Sequence, residues 1–154
     1  MPTLKVCEEI SAPQSWLFDL SQNYSLRLDW DPFPEQYRFH LTCDKPQVGA
    51  ELTVRARNGY SMAVRYVSYE APVSASFEML SGPWFFSKLA GTWRFVAKSP
   101  ASTTVWFNYH FAVRPWLLRP IIQPLVRHSL LSHATARIRA LKKYAESQYP
   151  ATAA

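Results

Sequence analysis

Residues 115–149, PWLLRPIIQPLVRHSLLSHATARIRALKKYAESQY, hold the only sustained helical period in the chain. Ile122, Leu125, Val126, Leu130, Ala134, Ile138, Leu141 and Ala145 recur at three- and four-residue steps, while Arg127, Thr135, Arg139, Lys142 and Glu146 fall between them. One stripe is built for burial and the other for water, so the spacing predicts a long C-terminal helix. From Leu52 to Val113 the period changes from about 3.6 to 2, the alternation of strands. Strands followed by one long helix indicate an α+β domain. An apolar helix stripe laid across a curved antiparallel sheet leaves a chamber where the two do not interdigitate.

At 154 residues the chain suits one domain and buries a core without staples. We expect that domain to span residues 1–149, with 150–154 as a disordered tail. Nearly half of the residues are apolar and 15% are aromatic, which excludes a disordered chain. No run of 18 apolar residues occurs, and Glu8 and Glu9 interrupt any leader-like segment, so a cytoplasmic location is expected. Cys7 and Cys43 are too few and too separated for a disulfide framework or a zinc site. Both are expected to be reduced and partly buried, and neither a metal nor a cofactor is expected. The net charge of +6 is uneven: residues 1–78 carry seven Lys/Arg against ten Asp/Glu, and residues 79–154 carry ten against Glu146 alone. The second half therefore presents a basic surface.

Thr3–Ile10 alternates as a first strand. Ser11-Ala12-Pro13 then opens a short helix, Ser11 or Ala12 near its N-cap and Pro13 at its first position, with Trp16, Leu17 and Leu20 as its apolar stripe. A second helical piece runs from Tyr24 to Leu28 and ends before a rigid aromatic loop, Asp29 to Pro34. Tyr37–Thr42 is the second strand. Glu51–Arg57 and Tyr60–Glu70 flank Asn58-Gly59, the dipeptide suited to the two positive φ angles of a type I′ hairpin turn. Val73–Leu80 follows, with Val73, Ala75, Phe77 and Met79 inward. Leu89–Lys98 is next, with Gly91 at a bend. Thr103–Val113 turns Val105, Phe107, Tyr109, Phe111 and Val113 to one face.

This order, strand, two short helices, six strands and a long helix, resembles the START and birch-allergen superfamily, also called SRPBCC. The matching phrases are Ile10-Ser11-Ala12-Pro13 with Trp16, Trp30-Asp31-Pro32, Val48-Gly49, Gly91-Thr92-Trp93-Arg94-Phe95, and Leu141-Lys142-Lys143-Tyr144. They cover nearly the whole chain and speak to fold more than to activity. The resemblance implies a helix-grip fold, a seven-stranded antiparallel sheet curled around the C-terminal helix, with a cavity for hydrophobic ligands. The superfamily includes lipid and sterol carriers, plant hormone receptors and polyketide aromatases and cyclases, and shares no catalytic residue.

Met62, Tyr66, Phe77, Met79, Trp93, Phe95, Phe107 and Tyr109, with Trp30 from the aromatic loop, are the candidate walls of such a cavity. The same residues would equally make a filled core; methionine adaptability and tyrosine hydroxyls favour the pocket. His133 and Arg137, four residues apart at the edge of the helix stripe, are candidates to meet a ligand carboxylate or phenolate, against a core-edge placement. His110 and His128 are expected to face solvent. Asp29 and Asp31 offer a carboxylate pair for acid/base work, but capping and turning the backbone is the commoner role. No Ser-His-Asp order, nucleotide-binding glycine pattern or metal-ligand spacing is present.

The expected activity is therefore binding of a small hydrophobic or amphipathic molecule (lipid, quinone or polyketide-like). An alternative is an aromatase/cyclase-type enzyme, which requires an ionisable group inside the chamber. A third, from another class, is a lipid-surface or protein-interaction module in which Trp84, Phe85, Trp116 and Arg119 meet an anionic membrane. Nucleic acid is not an expected partner, because the aromatics face inward while the basic residues scatter over outer faces. A monomer or a homodimer is compatible with the sequence.

Overall fold

The computed structural model describes residues 3–40 and 45–149. Seven antiparallel strands form one sheet in the order β1-β7-β6-β5-β4-β3-β2. They are β1 (Thr3–Ile10), β2 (Pro34–Phe39), β3 (Glu51–Ala56), β4 (Ser61–Glu70), β5 (Ser74–Ser81), β6 (Phe86–Ser99) and β7 (Ser102–Val113). Two short helices, α1 (Gln14–Gln22) and α2 (Tyr24–Trp30), follow the first strand, and α3 (Arg119–Gln148) closes the chain. This is the α+β helix-grip arrangement.

Period-2 patterning positions the sheet. In β7 the alternate residues Val105, Phe107, Tyr109, Phe111 and Val113 are buried, and they pair with the inward side of β6 through Trp93↔Phe107 and Gly91↔Tyr109. The helix covers only part of that face: α3 packs over β1 and β7, burying Val126, Leu130, Ala134, Ile138, Leu141 and Ala145. The register shifts in β4 mark irregular pairing with β5, a common source of local twist.

Several boundaries differ from the sequence expectation. α3 starts at Arg119, after a 3₁₀ turn at Trp116–Leu118, because Pro120 occupies a position where no intrahelical N–H is needed. Leu125, placed in the buried stripe by periodicity, is 68% exposed, because it lies over the cavity while its neighbour Val126 takes the position against the core. Pro13 is the N-cap of α1 and not its first residue. β2 begins at Pro34, so the aromatic loop is shorter; the expected residues Leu41 and Thr42, like Cys43, lie outside the described residues. Val73 precedes β5 and is exposed, as is Cys7 on the outer face of β1. The β3–β4 turn is a three-residue loop: Gly59 N–H donates to Ala56 O (3.0 Å) and Ala56 N–H to Tyr60 O (2.8 Å), with Gly59 at φ +94°. Glycine is needed there for the left-handed step, in place of the two-residue type I′ turn.

Gly91 marks a close approach. A Cβ on it would lie 2.5 Å from Cζ of Phe77, whose ring crosses the β5–β6 pair at Phe77↔Gly91. Gly91→Ala should destabilise the protein by about 1–3 kcal/mol through overpacking, read as a lower midpoint in thermal unfolding. In a Phe77→Ala background the same substitution should cost much less; an equal cost in both backgrounds would remove Phe77 as the reason for the glycine.

Candidate functional site

Because α3 lies over β1 and β7, it leaves part of the inward face of β3 to β5 free, and a cavity of about 250 Å³ opens there. Met62, Val64 and Tyr66 of β4 form one wall, with Phe77 of β5 and Trp93 of β6 at its back. Leu130, His133 and Arg137 of α3 form the opposite wall, and Tyr24 and Arg27 of α2 close the inner end. Leu125, Tyr60 and Phe85 stand at the other end.

The inner end is organised by one carboxylate. Asp31 terminates α2, its N–H donating to Arg27 O (2.9 Å), while its Oδ1 accepts from Phe33 N–H (3.0 Å). Arg27, one helical turn earlier and so on the same face, donates from Nε to Asp31 Oδ2 at 2.8 Å and from Nη1 to Ser21 O at 2.6 Å. From α3, Arg137 donates Nε and Nη2 to the same carboxylate (2.9–3.2 Å) and Nη1 to Tyr109 Oη (3.1 Å). All three charged residues are buried. Burial alone would raise the Asp31 pKa, but Arg137 and then Arg27 outweigh it and hold the carboxyl below its usual range. Burial likewise opposes the charge on Arg137, and Asp31 with Tyr109 overcomes it, so the guanidinium stays protonated.

The remaining polar groups are neutral near pH 7. Burial pushes the Tyr66 and Tyr109 hydroxyls above the usual phenol range. Tyr66 donates to Gln22 Oε1 (2.9 Å) and shares a 2.6 Å bond with the Tyr24 hydroxyl. Partial burial, and then the charge of Arg137, lower the pKa of His133, whose ring meets Phe33 edge-on at 5.4 Å. Trp93 is buried and its indole N–H has no hydrogen-bond partner.

Of the residues singled out in the sequence, Met62, Tyr66, Phe77, Trp93, Tyr109, His133 and Arg137 line this cavity. Trp30, Met79, Phe95 and Phe107 do not, Phe95 being fully buried against Phe18. Trp30 packs edge-on behind Trp93 (6.3 Å), and Phe107 lies beneath Trp93 (4.4 Å) under the Arg137 guanidinium. Met79 sits against Gly82 on the rim side of Met62. Asp29 is exposed, so it forms no working pair with the buried Asp31. His128 is exposed as expected; His110 is half-buried and bonded to Thr3 Oγ1 (2.9 Å) across β1 and β7. Tyr24 and Arg27 also line the cavity, and the sequence does not single them out because α2, at seven residues, is too short for periodicity to assign its faces. The Arg27–Asp31 four-residue spacing ahead of Pro32 was the available clue. Among the described residues, no cluster of three His, Cys, Asp or Glu side chains could hold a metal ion, and no helix is long and apolar enough to cross a membrane.

Comparison with known proteins agrees with this architecture. A START superfamily protein from Mycobacterium smegmatis superposes with a TM-score of 0.72 at 13% identity, over 92% of this chain and 98% of that one. The Zhui aromatase/cyclase from Streptomyces sp. R1128 gives 0.77 at 14% identity, over 98% and 97%. Norcoclaurine synthase from Thalictrum flavum, in complex with dopamine and hydroxybenzaldehyde, gives 0.73 at 13% identity, over 97% and 88%. At such identities these likenesses speak for the fold alone. No curated protein matches the chain. The family model for polyketide cyclase / dehydrase and lipid transport matches residues 1–146, and with its START-like helix-grip fold the chain belongs to that family.

Proposed function

We propose that the protein binds one small hydrophobic or amphipathic molecule in the cavity between its sheet and α3. The observation that carries this proposal is the uncovered, largely aromatic space itself, about 250 Å³, next to a rigid polar end. It lies just below the usual range of roughly 300–1,000 Å³ for small-molecule sites. Burial of apolar ligand surface would supply affinity at about 25 cal/mol per Å², and the polar inner end would fix orientation. The family and the fold support the same class of activity. The cavity also contains ionisable groups, Arg27, Arg137, His133 and two buried tyrosines, which the aromatase/cyclase alternative requires.

A second proposal, contact with an anionic membrane, rests on a different observation at the open end. Trp116 is 71% exposed, and Trp84, Leu117 and Ile121 are exposed beside it. Arg114 ties the two segments together through Nε to Trp84 O (2.6 Å) and N–H to Phe85 O (2.9 Å). Phe85 and Leu125 line the cavity and neighbour this patch in sequence, which supports a patch beside the mouth. Aromatic side chains ringed by arginines suit the headgroup region of an anionic bilayer, and the mouth would then open toward lipid.

N-phenyl-1-naphthylamine, a neutral fluorescent probe, should bind the protein saturably at one site. Phe77→Arg should abolish that binding while near-ultraviolet circular dichroism reports a folded protein. Unchanged binding in the folded variant would take Phe77 out of the wall. In flotation with vesicles of phosphatidylcholine and phosphatidylserine, the protein should rise with the lipid at low salt. The Trp84→Ala/Trp116→Ala double variant should stay at the bottom, and absence of wild-type flotation at low salt would end the membrane proposal.

A further inference from the structure

The inner end of the cavity holds two guanidinium groups against one carboxylate. Arg27 is 4% exposed and Arg137 6%, and both line the cavity, whereas Asp31 lies behind them. Among the described residues, no aspartate or glutamate lines the cavity to balance the second positive charge. Asp31 already accepts from Phe33, Arg27 and Arg137. His133 and the tyrosines facing the cluster bring no negative charge near neutral pH.

The surplus charge is attached to free donors. Arg27 uses Nε and Nη1 within the protein, and no hydrogen bond from its Nη2 is made among the described residues. The rings of Tyr24, Trp30 and Trp93 lie within 5.1–5.7 Å of the Arg27 guanidinium. They offset part of the lost hydration, but an aromatic face does not satisfy an N–H donor as an anion does. A buried cation without a full counter-charge is costly, and a bound anion removes that cost.

We propose that the cavity's ligand is an acid, an amphipathic molecule whose single anionic head, a carboxylate or an enolate-type oxygen, sits at Arg27 and Arg137 with its apolar body along Tyr66, Met62 and Phe77. This rests on the ligand-binding function proposed above and adds the charge of the ligand to it.

The test compares two probes with one anilinonaphthalene body: 1-anilinonaphthalene-8-sulfonate, which is anionic, and N-phenyl-1-naphthylamine, which is neutral. Wild-type protein should bind the sulfonate about tenfold or more tightly than the neutral probe, the scale of one charge-assisted hydrogen bond. That preference should persist at about 0.5 M NaCl, where exposed charges are screened and buried ones much less so. Arg27→Met leaves Asp31 paired with Arg137, and it should bring the affinity ratio toward one. Arg139→Gln, an exposed cation on the outer face of α3, should leave the ratio unchanged. If the neutral probe binds and the sulfonate binds no better, the anionic head is wrong and the cavity stands. If neither probe binds, the cavity proposal falls and this one with it. A folded Arg27→Met protein that keeps the full preference would also overturn the assignment; should that variant not fold, the salt-resistant wild-type ratio decides.

Discussion

One carboxylate serves two guanidinium groups, and much of the molecule is arranged around that arithmetic. Asp31 ends α2, fixes the following loop through Phe33, and receives Arg27 from its own helix and Arg137 from α3. Arg137 in turn reaches Tyr109 on β7. Thus α2, α3 and β7 are joined through two side chains, Asp31 and Arg137. Buried ion pairs contribute little net stability compared with apolar packing, yet losing one partner costs several kcal/mol. Such a junction therefore acts mainly as a constraint on position: α3 can slide along the sheet only by leaving a charge in an apolar interior.

That constraint explains why the cavity is where it is. Helix packing over β1 and β7 is dense, with Ala134 and Ala145 allowing close approach and Ile138 and Leu141 filling the layer between. On the β3 to β5 side the sheet curls away and α3 does not follow it. Protein interiors close most voids, because an unfilled space forfeits dispersion contacts. A space that survives beside anchored charges, walled by Trp93, Phe77 and Tyr66, is held open by rigid neighbours: the ring of Phe77 is seated on Gly91, and Tyr66 is bonded to Gln22 and Tyr24.

The fold was largely legible in the sequence, for specific reasons. Strict alternation in β7 and the helical stripe from Val126 to Ala145 each name their own element, and Asn58-Gly59 places a turn even though the turn type differed. Boundaries were less legible where proline and aromatic residues meet, as at Pro34 and Pro115, because both strand starts and 3₁₀ turns accept proline. In the site, alternation found the residues on the inward face, but it could not separate those that border the open space from those that lie beneath it, as Trp93 does from Phe107. Arg27 was invisible to patterning. An arginine in a short amphipathic helix reads as solvated, and only the three-dimensional meeting with Arg137, 110 positions later, shows that it is not.

The sheet pairs its first strand in sequence with its last. β1 pairs along its length with β7, Thr3 opposite His110 and Ile10 opposite Thr103, and α3 then covers both. During folding, β1 thus waits for β7 before it gains an inner neighbour. Loop closure over about a hundred residues is entropically expensive and slow. The β2 to β6 meander can form one hairpin after another, but the sheet stays two strands short until β7 joins it and brings β1 with it. Ordering of β1 in this sense reports that β7 is in place, and a sheet lacking α3 would leave the apolar face of β1 and β7 open to water.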